Sequence, residues 1–98
     1  MITVYVSISN SDDKLTQAEW ADYYAYVSIT LRSCLGVNIH GQWVSEPACA
    51  WQNACWCIEI PEDSTEPLRV ALKAIAALYR QDSIAWAVTD VELLPAMK

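Results

Sequence analysis

Residues 2–8 alternate Ile2, Val4, Val6 and Ile8 against Thr3, Tyr5 and Ser7, a period of two that predicts a strand with one apolar face. The polar run 9–13 reads as a loop. Thr16 and Glu19 stand at capping-box spacing, where each side chain satisfies the other's backbone amide. A helix over about 17–34 follows, with Ala21, Tyr24, Ala25, Ser28, Leu31 and Leu35 at helical spacing. Gly36 is placed to end that helix in a left-handed conformation.

Residues 37–45 alternate again, with Val37, Ile39, Gly41 and Trp43 on one side and Asn38, His40, Gln42 and Val44 on the other. The segment 46–49 reads as a turn, and 50–60 as a third strand. In that strand Ala54, Trp56, Ile58 and Ile60 share the core parity, which also carries Gln52, an amide near the turn that must find solvent or a partner. Pro61 stops the strand, and the run 63–66 has the form of a second capping box, with Glu66 at the third helical position. Leu68, Ala71, Leu72, Ile75, Leu78 and Tyr79 make the apolar stripe of a helix ending near Arg80, with Arg69 and Lys73 off the stripe. A last strand over 84–94 carries Ile84, Trp86 and Val88. The order β-α-β-β-α-β over one α+β domain, residues 1–98, matches the ferredoxin-like arrangement, a four-stranded antiparallel sheet with both helices on one face.

A chain of 98 residues supports one domain and buries roughly 60–70% of its unfolded surface, which a 54% hydrophobic composition can supply. No run approaches the roughly 20 apolar residues of a membrane span, and no basic segment precedes the N-terminal apolar run, so the expectation is a cytoplasmic protein with Cys34, Cys49, Cys55 and Cys57 as free thiols. Twelve acids against six bases give a formal charge of −6. That is the wrong sign for direct nucleic-acid binding or for an anionic membrane, and it points to basic partners.

If the 46–49 turn closes a hairpin, residue numbers that sum to about 95 face each other. Val37 then faces Ile58, Ile39 faces Trp56, and Gly41 faces Ala54 on the helix-covered side. His40 faces Cys55 and Asn38 faces Cys57 on the open side, beside Tyr5. Tyr5, His40, Cys55 and Cys57 thus form a candidate open-face constellation. Two thiolates and an imidazole are soft-metal ligand types, but Cys-x-Cys along a strand lacks the usual ligand spacing, and no fourth ligand is evident. A Cys–His nucleophile lacks an identifiable oxyanion hole or orienting acid. The remaining reading packs the cysteines as small hydrophobes at a half-buried surface or a partner interface, with no cofactor. Tyr5 and Trp51 lack the basic and Gly-rich company of an RNA-binding sheet.

The topology gathers Glu59, Glu62, Asp63, Glu66, Asp90 and Glu92 at one end, with Arg32 nearby. An acidic helix start is favoured by the helix dipole, and a single-signed patch also steers toward a basic protein surface. On strand–helix order and on Glu62, Asp63, Glu66, Asp90 and Glu92, the chain resembles small phage proteins that inhibit host nucleic-acid machinery, anti-CRISPR proteins among them. The resemblance implies a non-enzymatic inhibitor that blocks a basic, nucleic-acid-handling protein, working as a monomer or homodimer, and it transfers no residue role. Immunity proteins and antitoxins fit the same size and charge. A small-molecule or soft-metal module using the open face is the alternative class. Trp20, Tyr23, Tyr26 and Val27 exceed the needs of one core face, so partial exposure of that stripe is expected.

Overall fold

The computed structural model describes residues 1–34, 36–46 and 51–97. The alternating N-terminal run forms β1 (Ile2–Ser9), followed by α1 (Gln17–Ser33), β2 (Asn38–Val44), β3 (Asn53–Ile60), a short 3-10 turn (Glu62–Ser64), α2 (Thr65–Leu78) and β4 (Ala85–Thr89). The sheet is antiparallel in the order β2-β3-β1-β4, so the first and third strands are central. Val4, Val6 and Ile8 of β1 and Ala54, Trp56, Ile58 and Ile60 of β3 point to one side. There they form a single buried cluster with Trp20, Tyr23, Val27 and Leu31 of α1 and Leu68, Leu72 and Ile75 of α2. Both helices therefore shield the same face. Among the described residues, no helix is long and apolar enough to cross a membrane.

The buried stripe of α1 differs from the expected one. Trp20, Tyr23, Val27, Ser28 and Leu31 are buried, while Ala21 and Ala25 face outward. Aromatic and branched side chains remove far more apolar area from water than alanine does, so the helix rotates to bury them. Of the stripe expected to be partly exposed, only Tyr26 stays out, at 47% exposure. In α2, Leu78 is exposed and Ala76 is buried.

Two ends also differ. The expected capping box before α2 is absent. The 3-10 turn runs into the helix, and the Ser64 side chain makes no cap bond. β4 spans five residues rather than eleven, and the segment 90–97 leaves the sheet as an extended, exposed tail. The core parity of Ile84, Trp86 and Val88 continues as Asp90 and Glu92, which cannot be buried under the helices, so the strand ends there. Gly36 adopts φ +83°, in line with the expected helix exit. The 47–49 part of the expected turn, with Cys49, and Leu35 of the first stripe lie outside the described residues.

The first capping box is present. Glu19 N–H donates to Thr16 Oγ1 at 3.2 Å, and Thr16 N–H donates to Glu19 Oε1 at 3.0 Å. Arg80, beyond the end of α2, donates to Glu19 Oε2 at 2.8 Å and so ties the two helices together. The Thr16 amide first, and then Arg80, hold the Glu19 carboxyl below its ordinary value of 4.5. The folded state keeps Glu19 ionised to lower pH than the unfolded chain does. Its contribution is therefore complete above the ordinary value and is lost as pH falls through the folded one. In urea titrations, Glu19→Gln should have a lower midpoint than the parent at neutral pH, and that gap should close in acid. A gap of equal size at both pH values would contradict the assignment.

Candidate functional site

Among the described residues, no helix or strand packs over the face of the sheet away from the helices, and β2 decides what it displays. β2 pairs with β3 as Asn38 with Glu59, Ile39 with Ile58, Gly41 with Cys57, Gln42 with Trp56, Trp43 with Cys55 and Val44 with Ala54. The register slips between Ile39 and Gly41, and His40 is the extra residue of a β-bulge. This corrects the expected pairings of Val37 with Ile58, Ile39 with Trp56, Gly41 with Ala54, His40 with Cys55 and Asn38 with Cys57. Alternation alone cannot register an inserted residue, although a glycine inside a strand pattern is the signal that could have marked it.

After the bulge the two sides of β2 exchange. Gln42, expected on the open side, lies across from buried Trp56 on the helix side. Its amide is held there from α1, donating to Tyr24 Oη and accepting from Arg32 Nη2 at 2.6 Å. Tyr24 stacks on Trp56 with ring centroids 5.4 Å apart. Trp43, expected in the core, turns onto the open face at 57% exposure. Its ring lies over Gly41, where a Cβ would meet Trp43 Cη2 at 3.3 Å.

Two rows cross the open face. One is Trp43, Cys55, Ser7 and Ala85, and the other is Gly41, Cys57, Tyr5 and Ala87. Neither row holds a charged side chain. Cys55 and Cys57 thus lie on the bare side as expected, both as free thiols and half-buried. A hydrogen bond with Cys57 is the main cause holding the Tyr5 phenol above its ordinary 10.0; charge on Cys57, slight burial and Cys55 add to it. The bulge carries His40 to the end of the face, where Nε2 lies 3.5 Å from Glu59 Oε2. Tyr5, His40, Cys57 and Glu59 line one shallow recess of about 750 Å³ together with Asp90 and Leu93. Cys55 sits a row away from it, opposite Trp43. Among the described residues, no three His, Cys, Asp or Glu side chains gather closely enough to hold a metal ion.

Ile60 at the end of β3 lies opposite Ile2, and Thr89 of β4 lies opposite Thr3. Glu62 and Asp90 therefore leave the same end of the sheet, on either side of β1. Glu62, Asp63, Glu66, Asp90 and Glu92 are exposed there, and Glu59 is drawn to His40. Glu66 meets Arg69 at 3.8 Å between exposed side chains, a pair worth little. Arg32 is bonded to Ser28 and Gln42, so the acids gain no counter-charge from it among these contacts.

No protein-family model matches the chain, and no curated protein matches it. Among solved structures, a dimeric ferredoxin-like protein of unknown function from Thermobifida fusca YX superposes with a TM-score of 0.63 at 10% identity, covering 92% of each chain. The fold is ferredoxin-like. A formyltetrahydrofolate deformylase from Burkholderia mallei superposes with a TM-score of 0.47 at 13% identity, covering 91% of this chain and 27% of that one. The ferredoxin-like scaffold hosts many unrelated activities, so the likeness extends to architecture alone.

Proposed function

We propose that this chain is a protein-interaction domain that pairs with a second copy of itself through the open sheet face and offers its acidic end to a basic protein. One observation carries the reading: the two central rows of that face are uncharged in a chain of net charge −6. Glu59, on the next row of the same face, is drawn to His40, and the other acids lie off these two rows, so two copies can meet across the rows without opposing like charges. Small residues (Gly41, Ser7, Ala85, Ala87) alternate with the aromatic anchors Trp43 and Tyr5, a composition suited to close sheet-on-sheet packing. The tail adds exposed apolar surface, with Leu93 at 87% and Met97 at 98% exposure. The radius of gyration of 14.6 Å exceeds the roughly 13 Å of a compact domain of this length. The Thermobifida neighbour is itself described as dimeric, which supports pairing, without bearing on the face used.

Light scattering should return twice the chain mass of 11.0 kDa. Ala87→Arg places a cation opposite Tyr5 on each copy and should weaken pairing at least about tenfold, because a buried charge without a partner is costly. Reversing Glu62, Asp63 and Glu66 to lysine should leave the dimer intact, separating the acidic end from the pairing face. A monomer at every concentration, or an Ala87→Arg variant that pairs normally, would sink the reading.

A further inference from the structure

We infer that the groove between α2 and β4, on the helix side of the sheet and apart from the pairing face, binds a small carboxylate with an apolar body. The groove encloses about 290 Å³, room for about ten water-sized groups. Leu72 of α2, Ile84 and Trp86 of the β4 edge form its apolar wall, and Arg69 and Lys73 stand at its mouth one helical turn apart.

The distribution of positive charge singles this groove out. Five cations fall among the described residues. Lys14 is taken up by Asp12 and Asp82, Arg32 by Ser28 and Gln42, and Arg80 by Glu19. Among the described residues, Lys73 has no ion pair, and Arg69 has only the exposed contact with Glu66 and a position 5.8 Å over the Trp86 ring. The two cations least committed to the fold therefore line the same groove, in a protein whose net charge is strongly negative. Asp82, the one acid among its described lining residues, lies 3.5 Å from Lys14.

A guanidinium matches a carboxylate in a bidentate fork, and an ammonium one turn away adds a second charge-assisted bond. Such a head group leaves the body of the ligand on Leu72, Ile84 and Trp86, in the usual division of a small-molecule site into an apolar wall and few polar anchors. Arg69, Leu72, Lys73 and Ala76 line the groove from α2 beyond its first turn, so the helix N-terminus, whose free N–H groups would suit a phosphate, is not part of it, and residues 81–84 close it from the connection to β4.

Phenylacetate is a suitable probe, with phenylacetamide as its neutral counterpart and inorganic phosphate as an anion without an apolar body. In amide and indole N–H spectra of the full chain, phenylacetate should give saturable shifts at Trp86 and along 69–84 in the millimolar range or tighter. Phenylacetamide, and phenylacetate on the Arg69→Gln/Lys73→Gln variant, should each bind roughly tenfold or more weakly. Both substituted side chains are exposed, and the same spectra report whether the variant is folded. The inference fails if phenylacetate gives no saturable shift there, if phenylacetamide or phosphate binds as well, or if the double variant binds unchanged.

Discussion

Replacing Trp56 by alanine should lower the unfolding free energy by about 3–5 kcal/mol, the range for emptying a large aromatic from a core. Trp56 is fully buried in the central strand β3, between Val6 of β1 and Gln42 of β2, with Tyr24 of α1 stacked upon it. Its loss removes apolar burial and takes away the surface against which the Arg32–Gln42–Tyr24 chain is arranged. Among the described residues the indole Nε1 has no hydrogen-bond partner. Trp56→Phe therefore forfeits volume but no hydrogen bond, and should cost far less than alanine. For a domain of this size the alanine variant should melt roughly 15–30 °C lower. Urea or thermal unfolding decides the point, and a loss below about 1 kcal/mol would show that Trp56 is not the keystone of the sheet.

Asn10→Ala should cost about 2–4 kcal/mol, a large effect for one loop residue. Asn10 follows β1 and is almost wholly buried. Its Oδ1 accepts from Leu15 N–H at 3.0 Å, and its Nδ2 donates to Leu15 O at 3.1 Å and to Gln52 Oε1 at 2.9 Å. Gln52 in turn exchanges bonds with Gln17 at 2.7 and 3.1 Å. Alanine would leave both backbone groups of buried Leu15 and one lone pair of Gln52 without this partner, away from water. Asn10→Ala and Gln52→Ala should be less than additive, with a coupling of roughly 0.5–3 kcal/mol in a double-mutant cycle. Full additivity would mean that the two amides act independently.

The sequence pattern was informative where one period ran unbroken. The alternation in β1 and β3, the Thr16–Glu19 box and the turn-forming Gly36 each act through neighbours along the chain, and each is found in the structure. That Gln52 must find solvent or a partner is legible in the sequence, but that it is buried against Asn10 and Gln17 is not, because a loop's amide geometry leaves no periodic trace. In α1 two stripes competed at similar spacing, and the one with larger side chains prevailed. The open-face residues Tyr5, Cys55 and Cys57 followed from parity on the central strands. His40 could not be placed by the same reasoning, since its position depends on an insertion relative to β3 rather than on anything periodic in β2.

The bulge at His40 reaches beyond its own position. Downstream of it, one wall of the edge strand trades places with the other, so an indole looks outward and an amide is stapled inward. Shortening the chain by that single imidazole would re-phase everything up to Val44, driving Trp43 toward the helices and stranding Gln42 in the open. What this molecule shows to its surroundings is therefore governed by strand phase as much as by residue identity, and a one-residue deletion would give almost the same sequence a different exterior.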